Sequence, residues 1–284
     1  MKLRLFIAAL ILSGLAVTSY AEQSPLGLSW KENLLTISGD QIPGGKITVW
    51  YIEAYCRAGS TARNWQDTVF PHTTKVLETS KDQTRIVLES KLEDGVVVRH
   101  TILSTKDSVN FELEAFNPTN RQSDAHWGQP CMRVDRFVGM KPEYASEGYL
   151  SKSFLFVENP MTKQPQQVFL NKLQPWSKLA KYTPGQVWAG PGVSRNDLNP
   201  RPLSPIKTAN GLIGCVSSDG KKILATAWEP YQELFQGVIV CLHSDFRIGG
   251  LAPGEKRLLK GRIYVVENNL ELLLNRYQKD FPAH

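Results

Sequence analysis

Cysteine is scarce in this 284-residue chain: Cys56, Cys131, Cys215 and Cys241 are all there is, and none precedes position 56. No two of them have the close spacing of zinc-module ligands, which argues against a structural zinc fold. An even number permits disulfides in an oxidising compartment, with three possible pairings. Cys131, Cys215 and Cys241 lie in apolar runs, however, where a cysteine also serves as a small buried hydrophobe. Both readings stay open. Long runs of one charge are also missing. The 33 basic and 27 acidic residues are interspersed and sum to +6, the mark of a mixed solvated surface rather than of a nucleic-acid partner. There is no internal repeat, and no change of composition sharp enough to mark a second domain. Long apolar stretches are rare too. The one candidate, Leu5 to Val17, is short for a membrane span. Lys2 and Arg4 precede it and Ser19-Tyr20-Ala21 follows, so residues 1–21 are expected to be a signal peptide cleaved after Ala21. The absence of an early cysteine argues against a lipid-anchored start at that cleavage site. Residues 22–284 are then expected to be periplasmic or secreted, without a membrane span. As one β domain they fall near the roughly 250 residues that a sandwich or barrel reaches as a single unit.

What is present is mostly strand. Between Leu34 and Leu103, Ile47 to Tyr55 is β-branched and aromatic and Arg85 to Leu92 alternates. Val96 to Leu103 follows across Asp94-Gly95, a two-residue hairpin signal. Val109, Phe111, Leu113 and Ala115 face one way while Asn110, Glu112 and Glu114 face the other, which predicts a half-buried antiparallel strand. The turn residues Asn117-Pro118-Thr119-Asn120 close it. Ser123 to Phe137 reads as a further strand, and Pro130 makes it bulged or peripheral by removing a ladder N–H. A second hairpin joins Gly211–Ser217 to Lys222–Trp228 across Asp219-Gly220, and Gly237–His243 and Arg257–Val266 add strands. Asn268 caps a C-terminal helix with Glu271 at the third position; its stripe of Leu270, Leu273, Leu274, Tyr277 and Phe281 should dock on a sheet. The fold class is therefore all-β, antiparallel, with a C-terminal helix.

Four regions carry candidate chemistry. The loop from Tyr55 to His72 holds Arg57, Arg63, Trp65 and His72, either as a polar-ligand loop or as a surface loop with an anchoring tryptophan. In the Pro130 strand, His126 and Trp127 point to opposite faces. Residues 174–205 contain six prolines together with Trp176, Tyr182, Trp188, Arg195, Asp197, Asn199 and Arg201. That composition is too aromatic for disorder, and it predicts an ordered flap over a polar-ligand site. Sugar C–H faces stack on rings while sugar hydroxyls take planar polar partners. Last, the apolar runs Ile223 to Trp228 and Val238 to Leu242 stop at Glu229 and at His243 and Asp245, so Trp228, Glu229, His243 and Asp245 are expected as one patch at strand tips. His126, Glu229, His243 and Asp245 have metal-ligating side chains, but no metal or other cofactor is expected.

Several strings resemble the aldose 1-epimerase and hexose-6-phosphate epimerase group, whose members share the galactose-mutarotase-type β-supersandwich. They are Asn117 with Ala125-His126 and Arg133-Val134-Asp135, then Trp228-Glu229-Pro230, Val240-Cys241-Leu242-His243, and Leu251-Ala252-Pro253-Gly254-Glu255, with Gly59 to Trp65 as a fainter echo. The resemblance covers most of Asn110 to Val266 and implies a supersandwich with a sugar groove. It puts His126 at the general acid and His243 where the group keeps its glutamate base. Sequence and group also part company in the first loop, which lacks the group's histidine, and at Trp127-Gly128-Gln129-Pro130. The expectation is an exported carbohydrate-active protein binding a sugar or uronic acid, with epimerase- or lyase-type acid/base chemistry by His126 and His243. Arg57, Arg63, His72, Trp127, Trp188, Arg195, Asp197, Trp228, Glu229 and Asp245 would bind the substrate, with Arg57, Arg63, Arg195 and Arg201 suiting an anionic saccharide. A non-catalytic carbohydrate-binding module and a structural or partner-binding domain are the alternatives.

Overall fold

A computed structural model describes residues 24–140, 147–173, 186–237 and 239–282. The expected signal peptide and residues 174–185 of the flap, Trp176 and Tyr182 among them, lie outside the described residues. Sixteen strands run through the described residues. In chain order they are β1 (Gly27–Lys31), β2 (Leu34–Ser38), β3 (Lys46–Arg57), β4 (His72–Thr79), β5 (Arg85–Leu92), β6 (Val97–Ser104), β7 (Ser108–Phe116) and β8 (Ala125–Arg133). The second half adds β9 (Ser153–Glu158), β10 (Pro165–Phe169), β11 (Val187–Ala189), β12 (Thr208–Val216), β13 (Lys222–Glu229), β14 (Tyr231–Gln236), β15 (Cys241–Arg247) and β16 (Lys256–Glu267).

They form two antiparallel sheets: seven strands in the order β1-β2-β3-β8-β15-β14-β11, and nine in the order β10-β9-β12-β13-β16-β7-β6-β5-β4. Alternation decides which side chains meet between them. Val98, Ile102, Val109, Phe111 and Leu113 from the larger sheet and Leu35, Val49, Met132, Leu242 and Phe246 from the smaller join one buried cluster. At its centre His100 is fully buried between two tyrosines, with Tyr51 Oη 3.0 Å from Nδ1 and Tyr55 Oη 2.9 Å from Nε2. The C-terminal helix Leu270–Asp280 covers the outer face of the nine-stranded sheet. Its stripe packs on Phe154, Phe156, Leu212, Ile223 and Ala225, as the sequence predicts. The capping side chain is Asn269, which accepts from Leu272 N at 2.9 Å, one residue later than the expected Asn268.

One expectation about strands is met in one of its two forms, bulged rather than at an edge, and another needs correction. Pro130 sits in the middle of the seven-stranded sheet, with β3 on one side and β15 on the other. Pairing is interrupted on both sides: β3 jumps from Trp50↔Cys131 to Ala54↔Gln129, and β15 from Leu242↔Met132 to Phe246↔Gly128. The strand is thus bulged and central, and it is the neighbours that adjust to the missing N–H. Tyr51 and Ile52 both join the inter-sheet core, and Glu53 turns outward to Gln129. Second, the apolar run up to Leu242 does not mark a strand end there. β15 starts at Cys241 and continues to Arg247, so His243 and Asp245 lie mid-strand rather than at a tip. The added partner is β14, where Gln232, Glu233 and Gln236 are interspersed with Tyr231, Leu234 and Phe235 in a strand that is buried throughout. All four cysteines are buried and free.

Candidate functional site

Among the described residues, no long helix covers the outer face of the seven-stranded sheet. The described part of the flap crosses it instead, and the side chains beneath are mostly polar. Register puts Glu233 across from Asp245 and Phe235 across from His243 on β14 and β15. The β15–β8 register, continued through the gap between Leu242↔Met132 and Phe246↔Gly128, sets Cys131 across from His243 and Gln129 across from Asp245. A bulge between Tyr231 and Glu233 turns both Gln232 and Glu233 to this face. Glu53, Gln129, Cys131, Arg133, Glu233, Cys241, His243 and Asp245 therefore form one layer.

The flap closes this layer with specific bonds. Leu198 packs on Val187 and Phe235. Asn199 donates its backbone N–H to Glu233 Oε2 at 2.9 Å and its side-chain amide to Gln129 Oε1 at 3.5 Å. Arg201 lies 4.2 Å over the Phe235 ring and donates to the Gln236 carbonyl at 3.1 Å. The far side of the flap is tied to the loop before β4. Gly59 N donates to Asp197 Oδ1 at 2.9 Å, Ser60 Oγ to the Asp197 carbonyl at 2.6 Å, and Thr61 Oγ1 to the Leu198 carbonyl at 2.6 Å.

Charge beneath the flap is arranged against burial. Burial, then the facing Asp245, pushes the Glu233 carboxyl up to about 8. Burial likewise raises Asp245 to about 7, although the nearby His243 works the other way. For Cys241 and His243 burial opposes charge on both and is outweighed: contact with the Cys131 thiol, then the charge of His243, holds the Cys241 thiol below its usual range, and Cys241 with Asp245 raises the imidazole to about 10. Cys241 Sγ is 3.4 Å from His243 Nε2, and His243 Nδ1 is 3.7 Å from Asp245 Oδ1. The His243 ring stacks on Phe235 at 4.1 Å and 10°. Several fully buried atoms of this face have no hydrogen bond: Glu233 Oε1, both Asp245 oxygens, His243 Nδ1, Arg133 Nε and Gln186 Oε1.

The residues named from sequence divide into separate places. His243 and Asp245 belong to the buried layer. His126 does not join them. It lies at the other end of β8, where Ile248 N bonds its carbonyl at 2.7 Å, five residues along β15 from His243 and so roughly 16 Å away along the sheet. An acid and a base acting on one sugar ring must both be within hydrogen-bond reach of it, so the two histidines do not form that pair. His126 instead has Asp197 Oδ2 3.6 Å from Nδ1, with Arg247 3.7 Å from the same oxygen. Burial lowers its pKa, and Asp197 partly offsets this. Trp127 is buried on the outer face against Ala54, Cys56 and Val69, and Trp188 lies in the core.

Trp228 and Glu229 are on β13 of the other sheet, because the chain crosses between sheets at Pro230. Trp228 lies between the sheets, 4.9 Å from Phe246 and 5.3 Å from Phe111. Glu229 lines a cavity of about 690 Å³ beside the C-terminal helix, where Tyr277 Oη donates to it at 2.5 Å. Arg57 pairs with Glu93 at 3.1 Å and Arg63 with Asp124 at 3.8 Å, both beside a shallow cavity of about 590 Å³. Arg195 bonds Thr61 and the Arg201 carbonyl within the flap. His72 opens β4 against the Tyr55 ring, its pKa lowered by burial. Of the four arginines, Arg201 is the one that reaches the buried layer. The four metal-ligating side chains named from sequence, His126, Glu229, His243 and Asp245, are thus divided among three places. Cys131, Cys241 and His243 do converge, with donor atoms all within 4.8 Å of one another.

Glu233, Gln129, Glu53 and Arg133 were not singled out from the sequence. For Glu233 a signal existed, an acid flanked by Tyr231 on one side and Leu234-Phe235 on the other. For Glu53 none did, because the bulge decides its direction.

A scan of protein-family models and a search of curated proteins find no match. Among solved structures the chain is similar to a candidate aldose 1-epimerase from Escherichia coli K12, at 13% identity and a TM-score of 0.41 over 85% of this chain and 99% of that one. It is also similar to a galactose mutarotase-like protein from Lactobacillus casei ATCC 334, at 8% identity and a TM-score of 0.38 over 84% and 99%. A protein from Synechocystis sp. PCC 6803 matches at 9% identity and a TM-score of 0.42 over 87% and 96%.

Proposed function

We propose that this is an exported carbohydrate-active protein that binds a sugar or uronic acid on the outer face of its seven-stranded sheet, beneath the flap, and acts on it by acid/base chemistry. The observation that carries this reading is the set of buried polar atoms there without a hydrogen bond, on Glu233, Asp245, His243, Arg133 and Gln186. Each such atom costs about 1–3 kcal/mol, and a stable core does not gather several on one face without a use for them. A hydroxyl donates one bond and accepts two, so a polyhydroxylated ring can meet donors and acceptors mixed in this way. Arg133 and Arg201 would accommodate a carboxylate on it. Glu233, raised to about 8, holds its proton near neutral pH and is the group suited to act as general acid.

Access requires the flap to lift. Its ties to Gly59, Ser60 and Thr61 are hydrogen bonds that water can replace. Export rests on Lys2, Arg4, the apolar run to Val17 and Ala21.

The test uses calorimetry and NMR on the purified protein with a panel of neutral hexoses and uronic acids, following binding, epimerisation and β-elimination. Glu233→Gln should keep binding and lose about 10²-fold or more of turnover. If no sugar binds, or turnover survives Glu233→Gln unchanged, the assignment fails. A binding module without turnover is the second reading. It is favoured by the way Asn199 and Arg201 fill the face, and would show binding in both proteins and turnover in neither.

A further inference from the structure

Cys131, Cys241 and His243 hold three donor atoms, two sulfurs and an imidazole Nε2, that the sugar reading does not use. All three residues are buried, and the donors lie within 4.8 Å of one another. We propose that they form a binding site for a single thiophilic d¹⁰ cation, Zn(II) or Cu(I). Thiolate and imidazole are the ligand types such ions take, and three protein ligands leave a fourth position open. The spacing agrees as well. Metal–sulfur and metal–nitrogen bonds of 2.3 and about 2.05 Å at a tetrahedral angle put sulfur and nitrogen about 3.6 Å apart; Cys241 Sγ and His243 Nε2 are separated by 3.4 Å.

The surroundings hold the donors in place. Stacking on Phe235 fixes the His243 ring, with Nε2 toward the sulfur and Nδ1 toward Asp245 Oδ1 at 3.7 Å. A carboxylate behind the distal nitrogen of a metal-bound histidine orients the ring and raises its basicity. Beside the donors the chain has Gly237. A Cβ there would stand 2.1 Å from Cys241 Sγ and 3.0 Å from His243 Nε2, so a side chain would take up the space next to the pair.

A disulfide is the competing use of the two cysteines, and the register disfavours it. Cys131 faces His243, which makes Cys241 its diagonal neighbour. Diagonal positions are about 7–8 Å apart, beyond the roughly 4.4–6.8 Å between α-carbons that a disulfide spans. A metal ion bridges sulfurs about 3.8 Å apart and asks for no backbone shift. On binding, Cys131 gives up its S–H proton and the Cys241–His243 pair the proton it shares, both to solvent, and the freed lone pairs on the two sulfurs and Nε2 form the metal bonds.

The full chain, purified under reducing conditions, should bind one Co(II), with thiolate-to-cobalt charge-transfer absorption, and Zn(II) or Cu(I) should displace it. Cys131→Ser, Cys241→Ser and His243→Gln should each weaken binding by at least 100-fold, and Asp245→Asn by about 10- to 100-fold. Cys215→Ser, which alters a buried cysteine in a strand of the other sheet, should bind as wild type does. X-ray absorption on the loaded wild-type protein needs no variant to fold, and should show two sulfur neighbours near 2.3 Å. The proposal is overturned by a first shell of oxygen and nitrogen alone, by unchanged binding in both Cys131→Ser and Cys241→Ser, or by mass-spectrometric proof of a Cys131–Cys241 disulfide in the native protein. Because the cobalt spectrum is read without sugar, its failure leaves the carbohydrate reading intact, and the converse holds.

Discussion

His100 offers a quantitative test of how the core is built. It is fully buried, and both ring nitrogens face tyrosine hydroxyls at 3.0 and 2.9 Å. A neutral imidazole donates through one nitrogen and accepts at the other, so one tyrosine accepts and the other donates. A protonated ring would have to donate at both. Burial, reinforced by the charge of nearby His72, depresses its pKa to about 3, against about 6.5 in the unfolded chain. Between those values the unfolded state holds a proton that the folded state refuses, so the stability due to His100 is complete above pH 6.5 and falls as the pH drops toward 3. The slope is about 1.36 kcal/mol per pH unit. At pH 4.5 the loss is about 2.7 kcal/mol. Urea unfolding followed by tryptophan fluorescence, on wild type and His100→Gln between pH 7 and 4.5, isolates the effect, because the carboxylates titrate alike in both proteins. The variant should be less stable at pH 7, having lost part of the tyrosine bonding, and the gap should narrow or reverse by about 2.7 kcal/mol at pH 4.5. A gap that stays constant across this range would refute the reasoning.

Three further outcomes follow from the same structure. Glu233 has the opposite sign to His100: its carboxyl is raised to about 8, so its stabilisation is complete below the unfolded value and is lost as pH rises toward 8. Glu233→Gln should therefore gain on wild type in thermal unfolding as pH rises from 5 to 8, and a difference that does not change with pH would contradict the assigned burial. Leu273 is fully buried between the C-terminal helix and the nine-stranded sheet, so Leu273→Ala should cost about 2–5 kcal/mol in chemical denaturation. A loss under 1 kcal/mol would mean that the helix is only loosely docked. Asp197→Ala removes the acceptor of Gly59 N and the anion facing His126 and Arg247. Amide exchange at Leu198 and Asn199 should speed up by at least 10-fold while exchange in β7 and β16 stays as it was, and equal protection in both proteins would show that the flap is held by other contacts.

Much of the fold is legible in the sequence because local chemistry dictates it. Asp94-Gly95 and Asp219-Gly220 join the strands that they predict, and Gly95 and Gly220 take the positive φ values of 95° and 75° that such turns ask of glycine. The stripe of the C-terminal helix is likewise legible, since a period of 3.6 needs no distant partner to be recognised. The site was less so. His243 and Asp245 read as strand tips because the apolar run ends there, whereas the buried outer face calls for polar residues in mid-strand. Trp228 and Glu229 are close in sequence to this face yet belong to the other sheet. Two irregularities set which carboxylates enter the layer: the interruption around Pro130 turns out Glu53, and the bulge at Gln232 turns out Glu233. Neither has a periodic signature. β9 and β10 lie in the stretch between Phe137 and residue 174, to which no element was assigned from sequence. Ser153–Glu158 is a short apolar run whose length and pattern do not separate strand from helix.

The gap at Pro130 has a consequence for how this surface can change over time. In a regular strand, one inserted or deleted residue sends every later side chain to the opposite face, so such events are normally lost. Here the ladder is already open on both sides of β8, and β3 carries its surplus residues opposite that step. A change of length between Tyr51 and Ala54 breaks no further pairing and is absorbed where it occurs. The floor of the polar layer is therefore the part of the sheet where evolution, or an engineer, can alter the count of residues as well as their identity while the apolar register on either side is kept.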